Sequence, residues 1–244
     1  MNMIALDSSG LVASVAILED DILRAEYTVD YKKTHSQTLL PMLDEIADMI
    51  SLNRASVDVI AVAAGPGSFT GLRIGSATAK GLALALGIPI VEVPTLAALA
   101  YNLYGADGLI CPIMDARRGQ VYNGLYGFLQ GSLVTFADQR ALSVEELAAE
   151  LNEDGTAPVY LLGDGVAAYR AQLEELLTVP HIYVPAHLNR QRASSVGALG
   201  AVLYAEGRAV PPEKHAPIYL RKSQAERERE EKERKETKDA GDER

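Results

Sequence analysis

A single cysteine, Cys111, stands in the 244 residues, inside the apolar run "GLICPIMD". An intramolecular disulfide is therefore excluded and a thiolate zinc site lacks its ligands, which fits a reducing compartment. No apolar stretch reaches the ~18 residues that a membrane span requires. The N-terminus "MNMIALDSSG" has neither a basic region nor a long apolar one, so the expectation is a cytoplasmic protein, neither secreted nor membrane-embedded. Basic surplus is also missing: the formal net charge is −10. No basic patch or stripe of the kind that autonomous nucleic-acid binders carry is apparent, so RNA, if involved, is expected to meet another subunit first. Residues 221–244 hold nine Lys/Arg and nine Asp/Glu, which leaves 14 basic against 24 acidic residues before them. The body carries the whole imbalance.

What is present reads as α/β. "MIALD" and "LVASVAIL" are buried strands joined by the turn residues "SSG", and "RAEYTVDY" is a third strand. In "THSQTLLPMLDEIADMISLN", Leu39, Leu40, Leu43, Ile46, Ala47 and Ile50 recur at helical spacing, with Pro41 expected in the first turn. "VDVIAVAAG" is a strand, "TGLRIGSATAKGLALALG" a helix ended by Gly87, "IPIVEVP" a strand and "TLAALAYNLYG" a short helix. From Ala106 the theme repeats: strands around the turn "DARRGQ", a helix opened by the capping box Ser143 and Glu146, the strand "PVYLLGDG", the helix "VAAYRAQLEELL", the strand "IYVP" and the helix "SSVGALGAVLYAEG". Two mixed-sheet units are expected, 1–105 and 106–220, with the last helix free to pack back on the first. The segment 221–244 reads either as a solvated helix held by pairs such as Glu228 with Lys232, or as a disordered tail.

The stretch "AVAAGPGSFTGLRIG" opens like a phosphate loop but fits neither standard spacing. A P-loop beginning at Gly65 needs glycine at position 70, and a dinucleotide fingerprint needs it there too; the residue is Thr70. Two readings stay open. The helix start has free N–H groups, and Ser68, Thr70 and Arg73 could assist an anion. Alternatively Gly65 and Gly67 make a tight turn, Phe69 plugs the core, and Gly71, Gly75 and Gly81 let the helix lie close to a neighbouring backbone.

Taken in order, "MIALDSSGLVASVAIL", "THSQTLLPMLDEI", "GPGSFTGLRIG", "MDARRGQVYNGLY" and "APIYLR" resemble the bacterial TsaB (YeaZ) family over nearly the whole chain except the charged tail. The resemblance implies a duplicated actin/Hsp70/sugar-kinase-like (ASKHA) fold with two β-β-β-α-β-α units. It also implies a role in forming N6-threonylcarbamoyladenosine at position 37 of tRNAs reading codons that begin with A. There a TsaC-type enzyme makes threonylcarbamoyl-AMP from threonine, bicarbonate and ATP, and TsaD transfers the group, aided by TsaB and the ATPase TsaE.

Whether the chain itself is a catalyst turns on residue types. The resemblance to the catalytic paralogue TsaD lays Thr95 and Leu99 where that subunit has a metal-binding His-x-x-x-His pair, and leucine cannot ligate a metal. The histidines at 35, 181, 187 and 215 nowhere show that spacing. The turn Asp7, Ser8, Ser9, Gly10 is where active superfamily members hold nucleotide phosphates, and these four are weak cofactor candidates. Asp115 could orient a metal-bound water, whereas Arg117 and Arg118 would crowd or clamp a phosphate. His35 reads as a general base or as a cap or interface contact. The expected cofactors are therefore none on this chain alone, with ATP and a divalent metal on partner subunits.

The resemblance implies that the two helices after "THSQ" and "GPGSFTG" form a homodimer and a TsaB–TsaD heterodimer. The implied partner-binding residues are His35, Leu39, Leu40, Met42, Leu43, Ile46, Ser68, Phe69, Thr70, Arg73 and Ile74, with Met42 and Met49 suited to adaptable contacts. TsaE would join the ternary complex and tRNA would be met indirectly. The rival classes are an ASKHA-type ATPase or kinase, a metalloprotease-like protein, and a structural homodimer with other partners.

Overall fold

The computed structural model describes residues 1–31, 34–156 and 158–221. The expected charged tail, Arg221 apart, lies outside the described residues. In chain order the elements are β1 (Asn2–Asp7), β2 (Val12–Glu19), β3 (Ile22–Asp30), α1 (His35–Met49), β4 (Val59–Gly65), α2 (Phe69–Leu86), β5 (Ile90–Pro94) and α3 (Thr95–Tyr101). They continue as β6 (Leu109–Arg117), β7 (Gln120–Leu129), β8 (Ser132–Ser143), α4 (Val144–Asp154), β9 (Val159–Leu162), α5 (Asp164–Leu176), β10 (His181–Tyr183), α6 (Ala193–Ala205) and β11 (Ala209–Val210).

One sheet runs β11-β5-β4-β1-β2-β3 and the other β10-β9-β6-β7-β8. Within each, three antiparallel strands are extended by two parallel ones: β1 pairs β4 and β4 pairs β5, just as β6 pairs β9 and β9 pairs β10. The repeat expected from the sequence is thus a repeat of topology. The parallel central strands are buried on both faces, which is why β4 reads as an unbroken run of apolar residues. One face of the first sheet is covered by α1 and α2, the other by α3 and α6, and α4 and α5 cover the second sheet.

The last helix does pack on the first sheet. A Cβ on Gly200 would come within 2.9 Å of the Ala61 Cβ, and one on Gly197 within 2.3 Å of Leu18 Cδ1, so glycine lets this backbone lie almost on the strands. Its start is anchored there: Ala193 N–H donates to Ser14 Oγ at 2.8 Å, and Glu26 accepts from the Ser194 N–H at 3.0 Å and from Arg192.

Gly87 ends α2 at φ 69° and Ser143 with Glu146 forms a complete capping box, as the sequence indicated, while α2 starts one residue before the expected Thr70, capped by Ser68, whose Oγ accepts from the Gly71 N–H at 3.3 Å. Three further expectations are corrected. Pro41 is the seventh residue of α1, in the second turn, because the helix begins at His35; the bond its missing N–H omits is the one to the Gln37 carbonyl. The helix of "TLAALAYNLYG" stops at Tyr101. Gly81 approaches no neighbouring backbone, since a Cβ there would meet nothing within 4 Å. Among the described residues no helix is long and apolar enough to cross a membrane.

Candidate functional site

The first hairpin turn and the start of α2 form one packed unit. Asp7 Oδ1 accepts from the Ser9 N–H at 2.8 Å and from the Ser9 hydroxyl at 2.6 Å, while the Ser8 hydroxyl donates to the Gly71 carbonyl at 2.9 Å. The Ser68 N–H closes the unit by donating to the Ser9 carbonyl at 2.6 Å. Three glycines make the approach possible. A Cβ on Gly67 would stand 2.3 Å from Ser9 O, one on Gly71 2.1 Å from Ser8 O, and one on Gly75 2.4 Å from Ser8 Oγ. On the other side, a Cβ on Gly10 would meet the Gln191 amide at 2.9 Å.

Asp7, Ser8 and Ser9 are buried, Asp7 being 1 % exposed. Burial pushes the Asp7 carboxyl up to about 6 against the opposing hydrogen bonds from Ser9. A phosphate cradle needs N–H groups and hydroxyls directed at open space. Here the hydroxyls of Ser8 and Ser9 serve the protein itself, so these candidate cofactor residues do not fit a phosphate as they stand. Of the two readings of the Gly-rich stretch, the geometry matches the close-packed one in its glycines, Gly81 apart, with the correction that Phe69 is half-buried under Arg73 and Tyr219 and does not plug the core.

His35, the first residue of α1, is tied to the same turn: its Nε2–H donates to the Gly10 carbonyl at 2.9 Å, and its buried Nδ1 has no partner among the described residues. Leu39, Met42, Leu43 and Ile46 lie in the core with β1, β2 and β4, and are corrected from surface to core in the free chain. The i, i+3, i+4, i+7 stripe that marked them is the stripe that faces the sheet. Leu40, 49 % exposed, and Met49 remain outside. At the head of α2, Ser68, Thr70 and Arg73 are exposed while Phe69 and Ile74 are half-buried. The Arg73 guanidinium lies 4.1 Å above the Phe69 ring, and Tyr219 packs on the same ring at 4.7 Å between centroids.

Sequence reasoning gave Tyr219 no place. It sits on a C-terminal strap, 211–221, that crosses from one sheet to the other. His215 Nδ1 lies 2.7 Å from Glu92 Oε1, the Ile218 N–H donates to the Ala64 carbonyl at 2.7 Å, and Arg221 donates to the Ala116 carbonyl at 2.7 Å. "APIYLR" was visible as a block, but nothing local says where it docks. Gln191 and Gln139 were missed for the same reason. Gln139 accepts from the Leu96 N–H at 2.9 Å and donates to the Gly65 carbonyl at 3.2 Å, joining β8 to the start of α3 and to the end of β4.

In the second unit Asp115 Oδ1 accepts from the Arg117 N–H at 2.7 Å and from Tyr169 Oη at 2.9 Å, so that oxygen fixes the hairpin and α5. Asp164, raised by burial, accepts from the Asp115 N–H at 3.2 Å. Thr95 Oγ1 accepts from the Gly65 N–H at 3.1 Å and Leu99 is core, so both are structural. Among the described residues no three His, Cys, Asp or Glu side chains gather as a metal site would require.

Two mixed sheets of one topology, joined into a single chain with helices between and outside them, define the duplicated actin/Hsp70/sugar-kinase class of fold. Residues 25–229 match the family model described as TsaD: tRNA N6-adenosine threonylcarbamoyltransferase. The chain is 36% identical over 227 residues, 93% of itself and 96% of the relative, to the tRNA threonylcarbamoyladenosine biosynthesis protein TsaB of Bacillus subtilis (strain 168). It is 28% identical to the TsaB of Escherichia coli (strain K12) over 92% of itself and 96% of that protein. The solved structure of YeaZ from Pseudomonas aeruginosa superposes with a TM-score of 0.78 at 31% identity, covering 90% of this chain and 99% of that one. The chain belongs to the TsaB (YeaZ) family.

Proposed function

We propose that this chain works in tRNA threonylcarbamoyladenosine biosynthesis as a non-catalytic partner that binds and activates a TsaD-type transferase. The observation that carries the reading is the filled first turn: Gly67, Gly71 and Gly75 bring α2 onto Ser8 and Ser9, where an enzyme of this fold class would receive phosphate. That packing presents the exposed head of α2, with Ser68, Thr70 and Arg73, next to α1 with Leu40 and Met49. This is the surface we assign to TsaD, and to a second copy of the chain when TsaD is absent. The transferred group would come from threonylcarbamoyl-AMP, the acceptors would be tRNAs reading ANN codons, and TsaE would join the heterodimer. ATP and the divalent metal would sit on those partner subunits. The names of the near full-length relatives support the pathway, and the TsaD-type family model supports the partner class.

A drop-out reconstitution tests it. Substrate tRNA, threonine, bicarbonate and ATP are incubated with the TsaC, TsaD and TsaE partners, with and without this chain, and modified adenosine is measured. Product that depends on the chain, with no ATP turnover by the chain alone, is the expected result. Full product without it overturns the reading.

A further inference from the structure

The body is acidic, and its arginines are mostly neutralised. Among the described residues, every arginine except four pairs with a carboxylate. The four are Arg73, Arg117, Arg118 and Arg221. They come from three separate stretches of sequence and are linked through the strap 211–221. Arg73 Nε donates to Tyr219 Oη at 3.3 Å, two residues before Arg221, and Arg221 donates at 2.7 Å to the carbonyl of Ala116, the neighbour of Arg117 and Arg118. The strap thus lines unpaired guanidiniums from the head of α2 to the tip of the β6–β7 hairpin.

The tip itself is conformationally costly. Arg117, Arg118 and Gly119 have φ of 63°, 59° and 70°, three consecutive left-handed residues, whereas Asp20 and Ser51 stand singly at positive φ and Gln130 is followed only by Gly131. A two-residue hairpin turn of this kind favours Asn-Gly, and arginine is not a residue that left-handed backbone selects. Both side chains are exposed. The carboxylates nearby are occupied: Asp115 accepts from the Arg117 N–H and Tyr169, Glu146 caps Ser143, and Glu145 accepts from Gln172. Strain held at an exposed, uncompensated pair of cations points to a ligand.

We infer that the far end of this strip, Arg117, Arg118 and Arg221, is the place where the chain touches RNA, through the phosphate backbone of the tRNA held by the assembly, while Arg73 belongs to the surface assigned to the TsaD-type subunit. The inference rests on the reading under Proposed function. Guanidinium forks match phosphate oxygens bidentately. A body of net charge −10 repels RNA wherever the two come close, and a local strip of unpaired cations offsets that repulsion at one defined point.

The test uses the full chain assembled with the TsaD-type subunit. Labelled-tRNA affinity is measured by fluorescence anisotropy from about 50 to 200 mM salt, the range over which phosphate contacts weaken strongly. The variants are Arg117→Asn with Arg118→Asn, Arg221→Gln, and Arg54→Gln as a charge-matched control, since Arg54 pairs with Asp44 elsewhere. The strip variants are expected to bind severalfold more weakly, with the log–log salt slope reduced by about 0.7–0.9 for each contact removed, while Arg54→Gln behaves as the parent. Asparagine accepts left-handed backbone, so the melting temperature of the double variant should not fall below the parent's, which separates lost RNA contact from lost fold. Parent-like affinity and slope in an intact assembly overturn the inference. Loss of the TsaD-type subunit from the assembly also overturns it, by assigning the strip to a protein contact. Wild-type chain that adds nothing to tRNA modification sinks the Proposed function itself, an outcome read separately in the reaction without any variant.

Discussion

A methyl group on Gly71 would stand 2.1 Å from the carbonyl oxygen of Ser8, a distance no packed carbon adopts. The relationship ties the helix that follows the Gly-rich loop to the first hairpin turn of the chain, and it leaves no room for a side chain at this third residue of α2.

Gly71→Ala should lower stability by about 3 kcal/mol, the upper end of ordinary overpacking, because the clash is with backbone and neither side can swing away. Gly81→Ala, in the same helix, has open space around its added methyl and should raise stability by about 0.5–1 kcal/mol through helix propensity. Thermal melts of the two variants check both signs. Equal melting temperatures would mean that α2 is not seated on Ser8.

Much of this architecture was legible locally. Gly87 and the Ser143–Glu146 box each act within one turn of their own backbone, so the residue type alone reports the boundary. The turn before β7 and the topological repeat were readable for the same reason. What was not legible depends on distant chain. Nothing near Ala193 says that α6 returns to Ser14 and Glu26 on the first sheet, and nothing near Arg221 says that it reaches Ala116. The candidate surface fared unevenly on a finer point. Helical spacing identifies a stripe on α1 but not what the stripe faces, so Met42 was grouped with Leu40 although they lie on opposite sides of the helix wall.

That division makes a paired prediction. Leu40→Asp falls on an exposed position and should change stability by no more than about 0.5 kcal/mol, while weakening capture of the TsaD-type partner or of a second copy in size-exclusion chromatography. Met42, 6 % exposed, should behave as core: Met42→Asp buries an unpaired carboxylate and should cost about 4 kcal/mol or more. Urea midpoints separate the two effects. A Leu40→Asp chain that is folded and still binds fully would remove α1 from the partner surface.

Asp7 supplies the pH test. Its carboxyl is held at about 6 in the folded chain by burial, above the ~3.9 of an unfolded chain, so the native state keeps its proton to higher pH than the unfolded state does. Between those two values the native state binds more protons, and stability contributed at this site falls as pH rises from ~4 to ~6, staying low above that. Asp7→Asn keeps an oxygen for the Ser9 donors and removes the titration. The variant should be more stable than the parent by about 2–3 kcal/mol at pH 7.5, with the gain vanishing near pH 4. Urea unfolding at both pH values reads the difference, and a gain that persists at pH 4 would refute the assignment to Asp7 ionisation. The same variant divides the two classes of function. An enzyme holding phosphate and a divalent ion at this turn needs the carboxylate charge, whereas a partner subunit needs only the closed turn. Asp7→Asn in the reconstituted reaction should therefore support full tRNA modification; a large loss of product from a chain that is folded and assembled would return the first hairpin to the active-site reading.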